Sequence, residues 1–85
     1  MNTIEEIKRE LAFQLFQADF EDPESFYQVE YYAGKFGQEY IDNEYPELYY
    51  TWKQLLEHIP REEAEKFVEE ICTQIYNGQP NKYIK

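Results

Sequence analysis

His58 and Cys72 are the only histidine and the only cysteine of the 85-residue chain. Nucleophilic or acid–base chemistry would start from them, with the imidazole drawing the proton from the thiol. Such chemistry also needs donors for a developing oxyanion, and no glycine-rich turn supplies them near either residue. Zinc takes more nitrogen and sulfur ligands than one histidine and one cysteine provide. For calcium, a loop opening at Asp19 puts Glu21 third and Glu30 twelfth, as an EF-hand would. Its fifth position is Pro23, however, and its sixth, where a glycine makes the sharp turn, is Glu24. Eighteen acidic residues guarantee paired carboxylates somewhere, so pairing alone points to no catalysis. The expectation is a non-enzymatic chain without metal or cofactor. His58 is read as complementing a helix C-terminus and Cys72 as a buried, inert thiol.

The uncommon chemistry here is that of recognition. The stretch YQVEYYAGKFGQEYIDNEYPELYY, residues 27–50, holds seven of the nine tyrosines with five acids and one lysine. The charge is uneven as well. Residues 19–47 carry nine acids (Asp19, Glu21, Asp22, Glu24, Glu30, Glu39, Asp42, Glu44 and Glu47) against Lys35 alone, a net −8 of the chain's −10. Charge selected only for solubility would be spread more evenly. This sign opposes direct binding to nucleic acid and to anionic membranes. It favours a protein with a basic surface, met quickly and in a salt-sensitive way.

The elements that hold these residues are helical. Thr3 and Glu6 form a capping box before Ile4, Ile7, Leu11 and Leu15, which predicts a first helix over about 3–18. Phe13 and Phe16 lie off that stripe. Asp22 and Pro23 then read as N-cap and first helical position. Phe26, Val29, Ala33, Phe36 and Tyr40 repeat at helical spacing and predict a second helix over about 23–42. Gly34 and Gly37 weaken it by roughly 1 kcal/mol each relative to Ala, which puts any kink or early end at 34–37. Pro46 opens a third helix, about 46–58, with Leu48, Trp52, Leu55 and Ile59 inward and Tyr45, Tyr49 and Leu56 beside them. Pro60 opens a fourth, about 60–77, with Ala64, Phe67, Val68, Ile71 and Ile75 inward and Asn77-Gly78 as its stop. No run alternates with period two, so the fold class is all-α, a small single-domain bundle of four short helices over 1–78. Residues 79–85 read as a loose, basic tail.

At 100° per residue, the seam of the second helix turns Glu24, Tyr27, Tyr31, Gly34, Gln38 and Asp42 outward, with Tyr32 and Glu39 on one flank and Glu30 and Gly37 on the other. In the third helix Tyr50 faces outward beside Lys53 and Glu57. Tyr40, Tyr45, Tyr49 and Tyr76 suit a core edge, ring buried and hydroxyl in water. The expected partner-binding residues are therefore Glu24, Tyr27, Glu30, Tyr31, Gly34, Gln38, Asp42, Glu44, Glu47 and Tyr50. Exposed tyrosine offers contact area at low entropy cost plus a hydroxyl, and Gly34 lets a partner approach closely.

These residues predict a small acidic inhibitor or neutraliser that occupies a basic, nucleic-acid-binding surface of a partner, its carboxylates standing in for phosphates and its rings for bases. Anti-CRISPR, anti-restriction and nucleic-acid-mimic proteins of phages and mobile elements are of that type. In length, acidity and helix count the chain resembles the four-helix immunity proteins of nuclease bacteriocins, and Tyr49-Tyr50 is similar to their paired tyrosines, though the surrounding residues do not match. The alternative is a structural or regulatory module, or a homodimer joined through Phe13 and Phe16. The first residues, MNTIEEIKRELAF, lack the apolar run of a secretory signal, and a lone cysteine suits a reducing compartment. The expected location is the cytoplasm.

Overall fold

The structure is a computed structural model. It describes residues 3–43 and 46–79, with the backbone alone at 41–43. Five helices follow one another: α1 (Ile4–Gln17), α2 (Pro23–Phe36), α3 (Gln38–Asn43), α4 (Pro46–His58) and α5 (Arg61–Asn77). The fold is all-α, with no strand among the described residues. Tyr45, Glu44 and the tail from residue 80 lie outside the described residues, as do the side chains of Ile41, Asp42 and Asn43.

Local chemistry sets most of the boundaries. The Thr3 hydroxyl accepts the Glu6 N–H at 3.2 Å, and the Glu6 carboxylate accepts the Thr3 N–H at 3.1 Å. Those bonds hold the Glu6 carboxyl below the usual carboxylate range, the backbone bond to Thr3 being the larger cause. Ala18 caps α1, and Asp19 then turns the chain with φ +57°, a region asparagine and aspartate tolerate better than most residues. The turn sends the Phe20 N–H back to the Leu15 carbonyl at 3.1 Å and buries the Phe20 ring. Asp22 caps α2 through the Glu24 N–H at 3.1 Å, with Pro23 in the first turn. Gly78 ends α5 in the left-handed region.

The second helix is not one rod over 23–42. Gly37 has φ +77° and ψ −154°, a combination that a side chain would strain, and it stops α2 at Phe36 and starts the six-residue α3 in a new direction. Phe36, expected on the inner seam, is consequently 58 % exposed: α2 ends there and its last turn projects past the core.

α1 packs most extensively on α4, α5 lies against both, and α2 rests on α4 and α5. Ile7, Leu11, Leu15, Phe26, Trp52, Leu55, Val68, Ile71 and Cys72 are essentially removed from solvent. Trp52 is the centre, with Phe26 edge-on to it at 5.0 Å between ring centroids. Each such aromatic burial is worth roughly 1.5–3 kcal/mol, with about 0.5–1.5 kcal/mol more for the edge-to-face contact. Among the described residues no helix is long and apolar enough to cross a membrane.

Candidate functional site

The residues singled out by sequence fall into two groups that α2 keeps apart. In its first two turns Phe26, Tyr27, Val29 and Glu30 are committed to the bundle, while Glu24, Ser25 and Gln28 face solvent. Glu30 is half-buried and takes three hydrogen bonds: from Trp52 Nε1 at 2.6 Å, and from Arg61 Nη1 and Nη2 at 2.9 and 2.6 Å. Arg61 also donates through Nε to Glu65 at 2.8 Å and lies over the Trp52 ring at 5.7 Å. A guanidinium fork on one carboxylate, stacked on an indole, is a geometry that lysine does not reproduce. Burial alone would raise the Glu30 carboxyl; the hydrogen bonds from Arg61 and Trp52 outweigh it and leave the group below the usual carboxylate range. The same bonds, Glu30 first, raise Arg61 further.

Tyr27 belongs to this group, contrary to the outward position expected for it. Its ring packs on the core beside Phe26, at 5.6 Å between centroids, and its hydroxyl donates to the Glu65 carbonyl at 3.4 Å. Burial first, then the Glu65 carboxylate, pushes its phenol up to about 12. The physical reason for the misplacement is the seam itself. Counting Phe36 and Tyr40 as inner rotated the inferred seam away from Tyr27. The observed seam of Phe26, Val29 and Ala33 brings Tyr27 and Glu30 to its edge. Glu30 and Tyr27 thus bind the protein's own α4 and α5.

The last turns of α2 and the start of α3 form the second group. Tyr31 is 62 % exposed and Tyr32 is also in solvent. Their rings meet edge-on at 5.3 Å, Tyr32 stacks on Phe36 at 5.7 Å, and Phe36 reaches the half-buried Tyr40 at 6.0 Å. Lys35 lies over two of these rings, with Nζ at 5.9 Å from Tyr31 and 5.7 Å from Phe36. Across the turn, Gln38 Nε2 donates to the Tyr50 hydroxyl at 2.7 Å, and Tyr50 meets Tyr49 edge-on at 5.7 Å. The result is a run of rings from Tyr31 to Tyr40 that bridges the turn at Gly37, with the Tyr49–Tyr50 pair tied to α3 by Gln38.

Of the other expected residues, Glu24, Gly34 and Glu47 are exposed. A Cβ built on Gly34 meets nothing within 4 Å. Asp42 and Glu44 fall on the side chains outside the described residues. Tyr76, expected at a core edge, is instead 68 % exposed at the end of α5. The sequence pattern does not mark Tyr32 and Phe36 as surface rings: Gly34 and Gly37 both weaken the helix, and neither says that the chain turns at Gly37. The pattern also misses Arg61, for which no sequence signal exists.

His58 is exposed, its Nδ1 donating to the Gln54 carbonyl at 2.9 Å, whereas Cys72 is fully buried. Burial, and secondarily Asp22, pushes the Cys72 thiol up to about 11. Among the described residues no group of three or more His, Cys, Asp or Glu side chains is placed to hold a metal ion. No protein-family model, curated protein or solved structure matches the chain.

Proposed function

We propose that this chain is a non-catalytic binding protein that docks its acidic α2–α3 limb on a basic surface of a partner protein and thereby blocks that surface. The observation that carries the reading is the exposed run Tyr31–Tyr32–Phe36. These rings fill no part of the core, and they sit on the segment that holds a net −8 of the chain's −10. Stacked, surface-held rings lose little entropy on contact, and the carboxylates of the same segment steer a cationic partner. The protein's own cations show the preference in miniature: Lys8, Lys35, Lys53 and Arg61 each lie within 6 Å of a ring centroid. A nucleic-acid-binding protein is the partner class that best matches a surface of carboxylates and rings.

Capture of partners by tagged protein, run in parallel at low and high salt, tests this. The retained species is expected to fall off steeply with salt and with Glu24→Lys. Binding indifferent to both would sink the proposal. A second reading rests on Phe13 and Phe16, each 51 % exposed on the outer face of α1, a segment near charge neutrality. It makes the chain a homodimer, and sedimentation equilibrium that shows a dimer lost in Phe13→Ala would favour it.

A further inference from the structure

Lys35 is the only base among residues 19–47, set against nine acids. Among the described residues it makes no ion pair with any of them. Its ammonium lies over two rings instead, with Nζ at 5.9 Å from the Tyr31 centroid and 5.7 Å from that of Phe36. Helical spacing alone carries Lys35 to Tyr31, one turn back. The stop at Gly37 adds Phe36, which stays 58 % exposed and stacks on Tyr32 with the ring planes 15° apart. Lys35 itself is exposed and free to swing away. The acidic limb therefore carries a seat for a cation. Ring faces form it, solvent reaches it, and the chain's own ammonium fills it.

We infer that Lys35 is a placeholder, and that an arginine of the partner takes its seat on Tyr31 and Phe36 when the limb docks. The inference rests on the docking function proposed above and names the side chain that the limb recognises. The resident selects the guest, because a guest gains only by as much as it outdoes the resident. A lysine of the partner would exchange like for like, against an ammonium that is tethered and so held at high local concentration. A guanidinium is flat and weakly hydrated, stacks on an aromatic face, and keeps N–H donors for a phenol or a carboxylate. An apolar side chain would cover the rings and leave the limb's charge unmatched. An anion would meet a net −8. Lys35 thus restrains docking until a better cation arrives. An exposed cation–π contact is worth only about two- to fivefold in affinity, so arginine displaces it readily.

The test is a double-mutant cycle on the full chain, with capped tetra-arginine and tetra-lysine peptides as probes and affinity read by calorimetry. Lys35→Gln is made in the parent and again in the Tyr31→Leu/Phe36→Leu variant. All three positions are exposed, so the variants should stay folded. Both arms remove the same charge from the same place, and only the coupling between them reports the seat. In the parent, Lys35→Gln should tighten tetra-arginine binding about two- to fivefold beyond its effect in the variant that lacks the rings. Tetra-arginine should bind more tightly than tetra-lysine in the parent, by a margin that shrinks without the rings. By NMR, the Lys35 ε-methylene should start shifted upfield by the rings and lose that shift as tetra-arginine saturates. An equal gain in both arms, or a Lys35 signal indifferent to saturating peptide, would overturn the placeholder. Tetra-lysine binding as tightly as tetra-arginine would overturn the choice of guest. Failure of the docking function looks different. Partner capture that ignores salt and Glu24→Lys, alongside a coupled cycle, would remove docking and leave the seat standing. Capture that behaves as proposed, alongside an uncoupled cycle, would remove the seat alone.

Discussion

Phe26 and Phe36 sit ten residues apart on one helix and are the same residue type, yet one is 2 % exposed and the other 58 %. Tyr27 and Tyr31, one turn apart, repeat the contrast: the first rests on the core and bonds the Glu65 carbonyl, the second stands in solvent. α2 is therefore two regions. Its first half is held by Trp52, Arg61 and Glu65 from the helices below, and its last turn overhangs the bundle. Residue type does not decide which phenol or carboxylate is free to meet a partner. What lies beneath it decides.

The largest effect that would break this contrast is on stability. Phe26→Ala should cost about 3–5 kcal/mol in denaturant unfolding, much of the stability of so small a domain. Phe36→Ala should stay within roughly 0.5–1 kcal/mol. Equal losses from the two would mean that the last turn of α2 is packed after all.

Glu30 sharpens the same point for charge. Glu30→Ala leaves Trp52 Nε1 and the Arg61 fork without their carboxylate and should cost about 1–3 kcal/mol, whereas Glu24→Ala should be near neutral. The pH dependence carries the sign. Because the folded Glu30 carboxyl lies below its ordinary value of 4.5, its contribution is full above that pH and is lost as pH falls through the folded value. Acid unfolding of Glu30→Ala should lack that component.

Gly34 within α2 and Gly37 just after it come next. Gly34→Ala adds a helix former in open space and should stabilise the fold by up to about 1 kcal/mol. Gly37→Ala strains a positive φ and should destabilise it by about 1 kcal/mol or more. The smallest effect is at Tyr27, whose hydrogen bond is long. Tyr27→Phe should cost under about 1 kcal/mol at neutral pH. It should also reduce an alkaline loss of stability: the unfolded phenol ionises near 10 and the folded one is pushed up to about 12, so folding weakens across that window more in the parent than in the variant, which keeps only the smaller loss from the buried Cys72 thiol.

Helix periodicity, the capping box at Thr3, the Asp22-Pro23 start and the Gly78 stop were all legible before any coordinates, because each is written in residues next to one another. So was the inner stripe of Leu48, Trp52 and Leu55. The break at Gly37 was legible only as a weakness, since a glycine lowers helix stability without saying where the chain turns. The fate of Tyr27 and Glu30 was not legible at all. It depends on Arg61, thirty-one residues beyond Glu30, arriving across the helix packing with its fork aligned. Charge counts along the chain located the acidic limb but could not say which acid was already spoken for.

The most direct measurement of the central claim compares partner binding and stability in the Tyr31→Ala/Phe36→Ala double variant. The account predicts an unfolding midpoint close to the parent's and at least about a tenfold loss of partner affinity at low salt. A double variant that unfolds early, or one that stays folded and binds as well as the parent, would contradict it.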